Sequence, residues 1–338
     1  MVTPQSQPSP ILFFDTVNAY QRSSAVKAAI ELEVFTAIAE GNQTIQSLSE
    51  RCKASERGIR ILCDYLTIIG FLIKGNSSYS LTPDSATFLD KNSPAYMGSA
   101  IEFLLSPMLT KGFEKLTEAT RQGGTVLPEE GTIAPEHPIW VEFARAMAPM
   151  MAMPAQLMAK LIETGNGRKL KALDIAAGHG MYGITVAQHH PEAEIIAVDW
   201  PNVLEVAQEN ARKAGVDDRY STIAGSAFEV DFGRNYDLVL LTNFLHHFDV
   251  DTCIRLLKKV HAALVEDGRA VTVEFVPNED RVSPPTSAMF SLVMLGSTPQ
   301  GDAYTFREFE EMFSQAGFSR SELHQLPPTP QQVLISYK

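Results

Sequence analysis

The sequence predicts a two-domain protein of the α/β class. A mainly helical N-terminal domain precedes a doubly wound sheet, mostly parallel with an antiparallel last strand. Three observations carry this. The 338 residues exceed what one ordinary core organises. Apolar residues recur at helical spacing through the first half, whereas short apolar strands alternate with helical stretches in the second. Finally, SELHQL and QQVLISYK are joined by the short turn PPTP, which only antiparallel strands allow.

Composition narrows the class. Apolar content of 45% and charged content of 20% are those of a soluble globular chain. The net charge of −12 disfavours a nucleic-acid backbone or an anionic membrane as partner. Cys52, Cys63 and Cys253 show no C-x-x-C spacing, which implies a reduced, cytoplasmic chain without disulfide framework or zinc cage. The start, MVTPQSQPSP, has neither basic nor apolar signal-peptide regions, and no apolar run approaches a membrane span.

In residues 23–40, Val26, Ile30, Val34, Ala37 and Ile38 predict a helix. Thr44 caps a short helix, and Ser55 caps another over residues 56–70, with Ile59, Leu62, Cys63, Leu66 and Ile69 on one face. Gly70 stops it. FLIKGNSSYSLT is strand, turn, strand about Gly75-Asn76. Three helices and a hairpin form a winged-helix pattern. Arg57 and Arg60 on its last helix are balanced by Glu56 and Asp64, which favours a packing or dimerisation module over a DNA reader. Residues 123–138, rich in Gly and Pro, read as a loop, and residues 143–162 as a helix with five methionines, a core face or an adaptable wall for a flat ligand. GNGRK, at 165–169, marks the boundary, so the expected organisation is 1–100, connecting helices over 101–165, and 166–338.

The strand KALDIA runs into a loop in which Gly178, Gly180 and Gly183 spell G-x-G-x-x-G. A glycine loop opening a helix lets a ligand approach free backbone N–H groups. Asp199 ends the next strand, 21 residues after Gly178, where a carboxylate can grip both hydroxyls of a ribose. This Rossmann-like arrangement suits NAD and S-adenosylmethionine equally. Asp174, just ahead of the loop, separates them: it would repel a pyrophosphate but favours a cofactor carrying ammonium and sulfonium. The alternatives are a helix cap for Asp174 and a ligand-free tight turn for the glycines.

At these residues the chain resembles the class I S-adenosylmethionine-dependent O-methyltransferases of the plant caffeate and flavonoid type and their bacterial relatives. The resemblance covers nearly the whole chain and implies a homodimer through the winged-helix domain, with S-adenosyl-L-methionine as cofactor, S-adenosyl-L-homocysteine as product and no metal. The family's D-x-G-G-G-x-G reads DIAAGHG here, with Ala176 and Ala177 for two glycines; DWPNV carries Asp199 and Trp200; and GSAF supplies Ser226, Ala227 and Phe228 as the adenine wall. Ser226 stands where the family carries an acid.

TNFLHHFDVDTC follows the fourth strand of the sheet. The resemblance makes His246 the general base. Its position beyond a strand C-terminus supports this, since neutral imidazole is available near pH 7 to take a proton from a hydroxyl. Glu274, on the next strand, could orient it across the strand spacing of about 4.8 Å. Alternatively, His246 bonds backbone near Asp249 at the start of a helix and Glu274 is a surface acid. Adjacent residues are not expected to share one ligand, so His247 is read as structural. Asn243 contacts cofactor or substrate, or is structural. Where the family has a second acid this chain has Ala303, with Asp302 adjacent. Phe143, Met147, Met150, Phe290 and Met294 would wall in a small hydroxylated, aromatic acceptor. C- or N-methyl transfer on the same fold, a nicotinamide oxidoreductase and a winged-helix regulator are the rival readings.

Overall fold

The computed structural model describes residues 8–162 and 169–338, the side chains of Glu129 and Glu130 excepted. They fall into two compact units, Met1–Ile101 and Glu102–Lys338. The boundary expected at 165/166 lies outside the described residues.

In the first unit the helix expected over residues 23–40 is two helices, Ala19–Glu31 and Val34–Ala39. Glu33 breaks them with a φ of 57°. Periodicity does not reveal the break, because Ala29, Val34, Phe35 and Ile38 all still reach one core. Glu33 holds the turn through its carboxylate, which accepts from Lys91 at 2.6 Å and Arg51 at 3.1 Å. Thr44 and Ser55 cap Ile45–Cys52 and Glu56–Ile68 as expected, accepting from Ser47 N and Gly58 N. Strands β1 (Leu72–Lys74) and β2 (Tyr79–Leu81) form the antiparallel wing. Tyr79 donates to Asp64 at 2.7 Å and ties the wing to the last helix. An unexpected helix, Ile11–Val17, precedes these elements and has no buried residue.

The second unit is built on β3 (Lys171–Ile175), β4 (Glu194–Asp199), β5 (Tyr220–Ala224), β6 (Tyr236–Thr242), β7 (Leu264–Glu274), β8 (Arg320–Gln325) and β9 (Gln332–Tyr337). The sheet order is β5-β4-β3-β6-β7-β9-β8. The first five strands are parallel, and β9 runs antiparallel to both neighbours, as the Pro-rich turn requires. The central strands are apolar along their length because helices cover both faces; Leu238–Leu241 are wholly buried. Strand order reverses between β3 and β6, so the crevice of a doubly wound sheet opens beyond Ile175 and Thr242.

The methionine helix spans Ile139–Leu161, starting four residues before the expected start at 143, and buries Ala144, Met147, Met151, Ala155 and Met158 along one stripe. The loop expected over 123–138 contains the 3-10 helix Pro128–Ile133. No helix of the described residues is long and apolar enough to cross a membrane.

Candidate active site

The C-terminal ends of β3, β4 and β6 open on one cavity of about 460 Å³, a size suited to a small-molecule ligand. At one end the β3 loop turns through left-handed backbone at Ala176 (φ 54°) and Gly178 (φ 56°), the kind of conformation that structures retain at functional sites. Asp199 faces this loop. One carboxylate oxygen accepts from Gly178 N at 2.8 Å and the other from Trp200 N at 2.7 Å. Burial pushes the Asp199 carboxyl up to about 6, against the pull of those two amides. Trp200, Ser226, Ala227 and Phe228 line the same end, and Phe228 meets Phe248 edge-on at 5.0 Å.

Asp174 is placed elsewhere. It is wholly buried and does not line the cavity; its carboxylate accepts from Gly183 N at 3.1 Å, beneath the loop. Burial first, and the Asp199 charge after it, push Asp174 up to about 7. That bond to the first turn of the helix Met181–His189 is the cap considered as its alternative, while its other oxygen, Oδ1, is buried with no hydrogen-bond partner among the described residues. Gly180 likewise lies off the cavity lining. Gly183 explains the third glycine: a Cβ there would stand 2.7 Å from Asp174 Oδ2 and 2.9 Å from Ile195 Cγ2. Gly183→Ala is therefore expected to cost about 1–3 kcal/mol of stability, measured as a lowered midpoint in denaturant unfolding.

The other end of the cavity holds His246, on the 3-10 turn Leu245–His247. Its Nδ1 lies 2.5 Å from Glu274 Oε2. Glu274 is wholly buried, and its other oxygen accepts from Phe244 N and Leu245 N, both at 3.0 Å. One carboxylate thus seats both the turn and the ring. As an acceptor it places the imidazole proton on Nδ1 and leaves Nε2 with a lone pair. Asp249 instead caps Val250–Ala263, accepting from Thr252 N at 2.8 Å. Asp302 pairs with Arg281 at 3.0 Å. Glu274 is therefore the carboxylate on His246.

His247 departs from the sequence expectation, since it lines the same cavity as His246. Residues step by about 120° in a 3-10 turn, and a wide cavity can meet two successive side chains. The rings are 4.3 Å apart, and His247 meets Trp140 edge-on at 5.2 Å. Burial, then the neighbouring His246, holds His247 far below the usual imidazole range.

Phe143, Met147, Met150, Phe290 and Met294 all line the cavity, and Phe290 stands edge-on to His246 at 4.8 Å. Asn243 lines it with a φ of 53°, donating to Tyr182 Oη at 3.3 Å and accepting from Gln331 at 2.6 Å. Sequence reasoning missed His179, Tyr182, Trp140 and Gln331 as lining residues. The first two sit in and just after the glycine loop, which was a usable signal. Trp140 and Gln331 arrive from distant segments that carry none.

The family model described as O-methyltransferase domain matches residues 137–319, and that described as O-methyltransferase dimerisation domain matches residues 14–91. A crystal structure of a candidate O-methyltransferase from Nostoc punctiforme PCC 73102 is 62% identical, with a TM-score of 0.95, covering 98% of this chain and 100% of that one. The 3-hydroxy-5-methyl-1-naphthoate 3-O-methyltransferase of Streptomyces sahachiroi is 26% identical over 94% of this chain and 92% of its own. Human N-acetylserotonin methyltransferase, solved in complex with SAM, is 20% identical with a TM-score of 0.85, covers 100% of this chain and 99% of its own, and shares the fold.

Proposed function

Since this chain belongs to the O-methyltransferase family, we propose that it methylates a hydroxyl of a small aromatic metabolite from S-adenosyl-L-methionine, with His246 as general base. The observation that carries this is that one cavity joins a ribose-type site at Asp199 to the His246–Glu274 pair.

The residues present fit the cofactor. Asp199 offers acceptor oxygens to ribose hydroxyls, and Trp200, Ala227 and Phe228 offer apolar surface to adenine. No Lys or Arg is among the described residues lining the cavity. Five of the loop amides also have protein acceptors: Ala177 N donates to Val198 O, Gly178 N to Asp199, Gly180 N to Ala177 O, Met181 N to His179 Nδ1 and Gly183 N to Asp174. A pyrophosphate would need those donors or a cation, which counts against the nicotinamide alternative.

When bound, the cofactor supplies an electrophilic methyl group on a sulfonium. The protein's own work is alignment and proton removal. The aromatic and methionine walls orient a flat acceptor, and such positioning can supply much of the barrier reduction. His246 Nε2 takes the hydroxyl proton, and Glu274 stabilises the imidazolium that results. Asn243, held by Tyr182 and Gln331, completes the polar floor.

Calorimetry with S-adenosylhomocysteine and NADH tests the reading. The expected result is binding of the first and not the second, weakened roughly 10- to 100-fold in Asp199→Ala by loss of charge-assisted hydrogen bonds. NADH binding, or no binding of either, would sink it. The affinity should also titrate. A ribose bound through an ionised Asp199 favours the deprotonated form, so affinity is full above pH 7. It falls as pH drops through about 6, by up to about tenfold per unit. Asp199→Ala should flatten that profile.

The chain is further proposed to act as a homodimer through its first unit. Ile11, Leu12, Phe13 and Phe14 are each more than half exposed on the first helix, an apolar face suited to a second copy. Phe13→Glu combined with Phe14→Glu is expected to shift the mass seen by light scattering from two chains toward one; an unchanged mass would exclude this helix from the interface.

A further inference from the structure

The wall proposed to face adenine is held from behind. Between β5 and β6 the chain makes a single turn, in which Glu229 N and Val230 N donate to Ser226 O at 3.0 and 2.9 Å. Ser226, Ala227 and Phe228 of this turn line the cavity. One helical turn leaves its last carbonyls without backbone donors. Neither Ala227 O nor Val230 O accepts a backbone N–H among the described residues. Lys259 meets both: its Nζ donates to Ala227 O at 3.0 Å and to Val230 O at 2.5 Å. The ammonium also stands 4.0 Å from the centre of the Phe232 ring, just past the turn.

A lysine at a surface normally extends its charged head into water, and the neighbouring Lys258 is exposed. Lys259 is half-buried instead. Burial holds its ammonium below the usual lysine range, against the pull of Asp231. Hydrogen bonds from a charged donor are roughly twice as strong as neutral ones, and the aromatic face adds to them. The amine is therefore a firm staple. Its base is rigid as well, because the helix Val250–Ala263 buries Cys253, Leu256, Leu257 and Val260. Lys259 itself does not line the cavity, whereas Ala227 does. The peptide that forms the wall on one side is thus pinned by its carbonyl on the other.

We infer that Lys259 is a positioning residue for the cofactor, which fixes the Ser226–Phe228 wall at the spacing from Asp199 that an adenosine requires. This rests on the cofactor reading above and assigns a role to a residue that touches no ligand. Lys259 acts on the adenine end alone; the amino-acid end of the cofactor is outside its reach.

The test is calorimetry on the full-length protein with two ligands. S-adenosylhomocysteine carries adenosine and the amino-acid tail, and 5′-methylthioadenosine carries the adenosine without that tail. Lys259→Met keeps the apolar stem over Phe232 and removes the donors. It should weaken both ligands by the same factor, roughly tenfold, the lower end of what a hydrogen bond to a charged group supplies. Lys259→Arg should restore most of the affinity, and Lys258→Met, which removes the same charge one residue away, should leave it unchanged. A merely structural role would lower the melting temperature without moving either dissociation constant of the folded protein. Where Lys259→Met does not fold, Lys259→Gln is read in its place and should lose at least about threefold. Affinities within twofold of wild type overturn the inference, as does a loss confined to S-adenosylhomocysteine, an equal loss in Lys258→Met, or no binding of methylthioadenosine by wild type. Failure of wild type to bind S-adenosylhomocysteine overturns the underlying methyltransfer reading instead.

Discussion

His246→Ala is expected to lower kcat by about 10²–10⁴-fold while S-adenosylhomocysteine still binds, because Asp199, the residue proposed to hold the ribose, ends β4, two strands away from the turn after β6 that carries His246. The imidazole is seated by Glu274 and has one nitrogen free to accept a proton. Without it, the acceptor must lose its proton to water. The deficit should therefore shrink as pH rises toward the phenol's own ionisation near 10, where the substrate arrives already deprotonated. Steady-state rates across pH 6 to 10 in both proteins check this. A variant within threefold of wild type at pH 7 would place the base elsewhere, or show that positioning alone suffices. The latter result would revive transfer to carbon or nitrogen.

Glu274→Gln should cost nearly as much in kcat, for a different reason. The glutamine carbonyl can still accept from Phe244 N and Leu245 N, so the turn stays in place. Its amide would then face His246 Nδ1 as a donor. The ring answers by moving its proton to Nε2, and the base becomes unable to accept. In the Ser-His-Asp triad the corresponding change costs about 10⁴-fold; here a loss of about 10²–10⁴-fold is expected, with a nearly unchanged melting temperature. Glu274→Leu separates orientation from folding. It strands two backbone N–H groups in the interior, each at about 1–3 kcal/mol, and should melt several degrees lower. Equal kcat for Glu274→Gln and wild type would remove the carboxylate from the mechanism.

The sheet and the glycine loop were legible because their signals are local. KALDIA, AEIIAVD and YDLVLLTN are mostly apolar because a parallel strand is covered on both faces, and each became a strand where expected. Asp199 and His246 were legible for the same reason: residues just past parallel strand ends face the crevice. The break at Glu33 escaped because a reversal that returns both helices to one core leaves the apolar period intact.

What the chain determined by itself was the order of helices and strands, the antiparallel end of the sheet and the set of polar residues near its open edge, since each depends on spacing over a few residues. What only the tertiary structure decided was direction and company. Asp174, read as facing a cofactor, accepts from Gly183 N with one oxygen and keeps the other buried without a partner among the described residues. His247, read as structural, came to line the cavity beside His246. Gln331, from a turn 88 residues beyond Asn243, came to share its hydrogen bond. Side-chain direction depends on backbone twist at one residue and on which distant segments pack above it, and neither quantity has a period in the sequence.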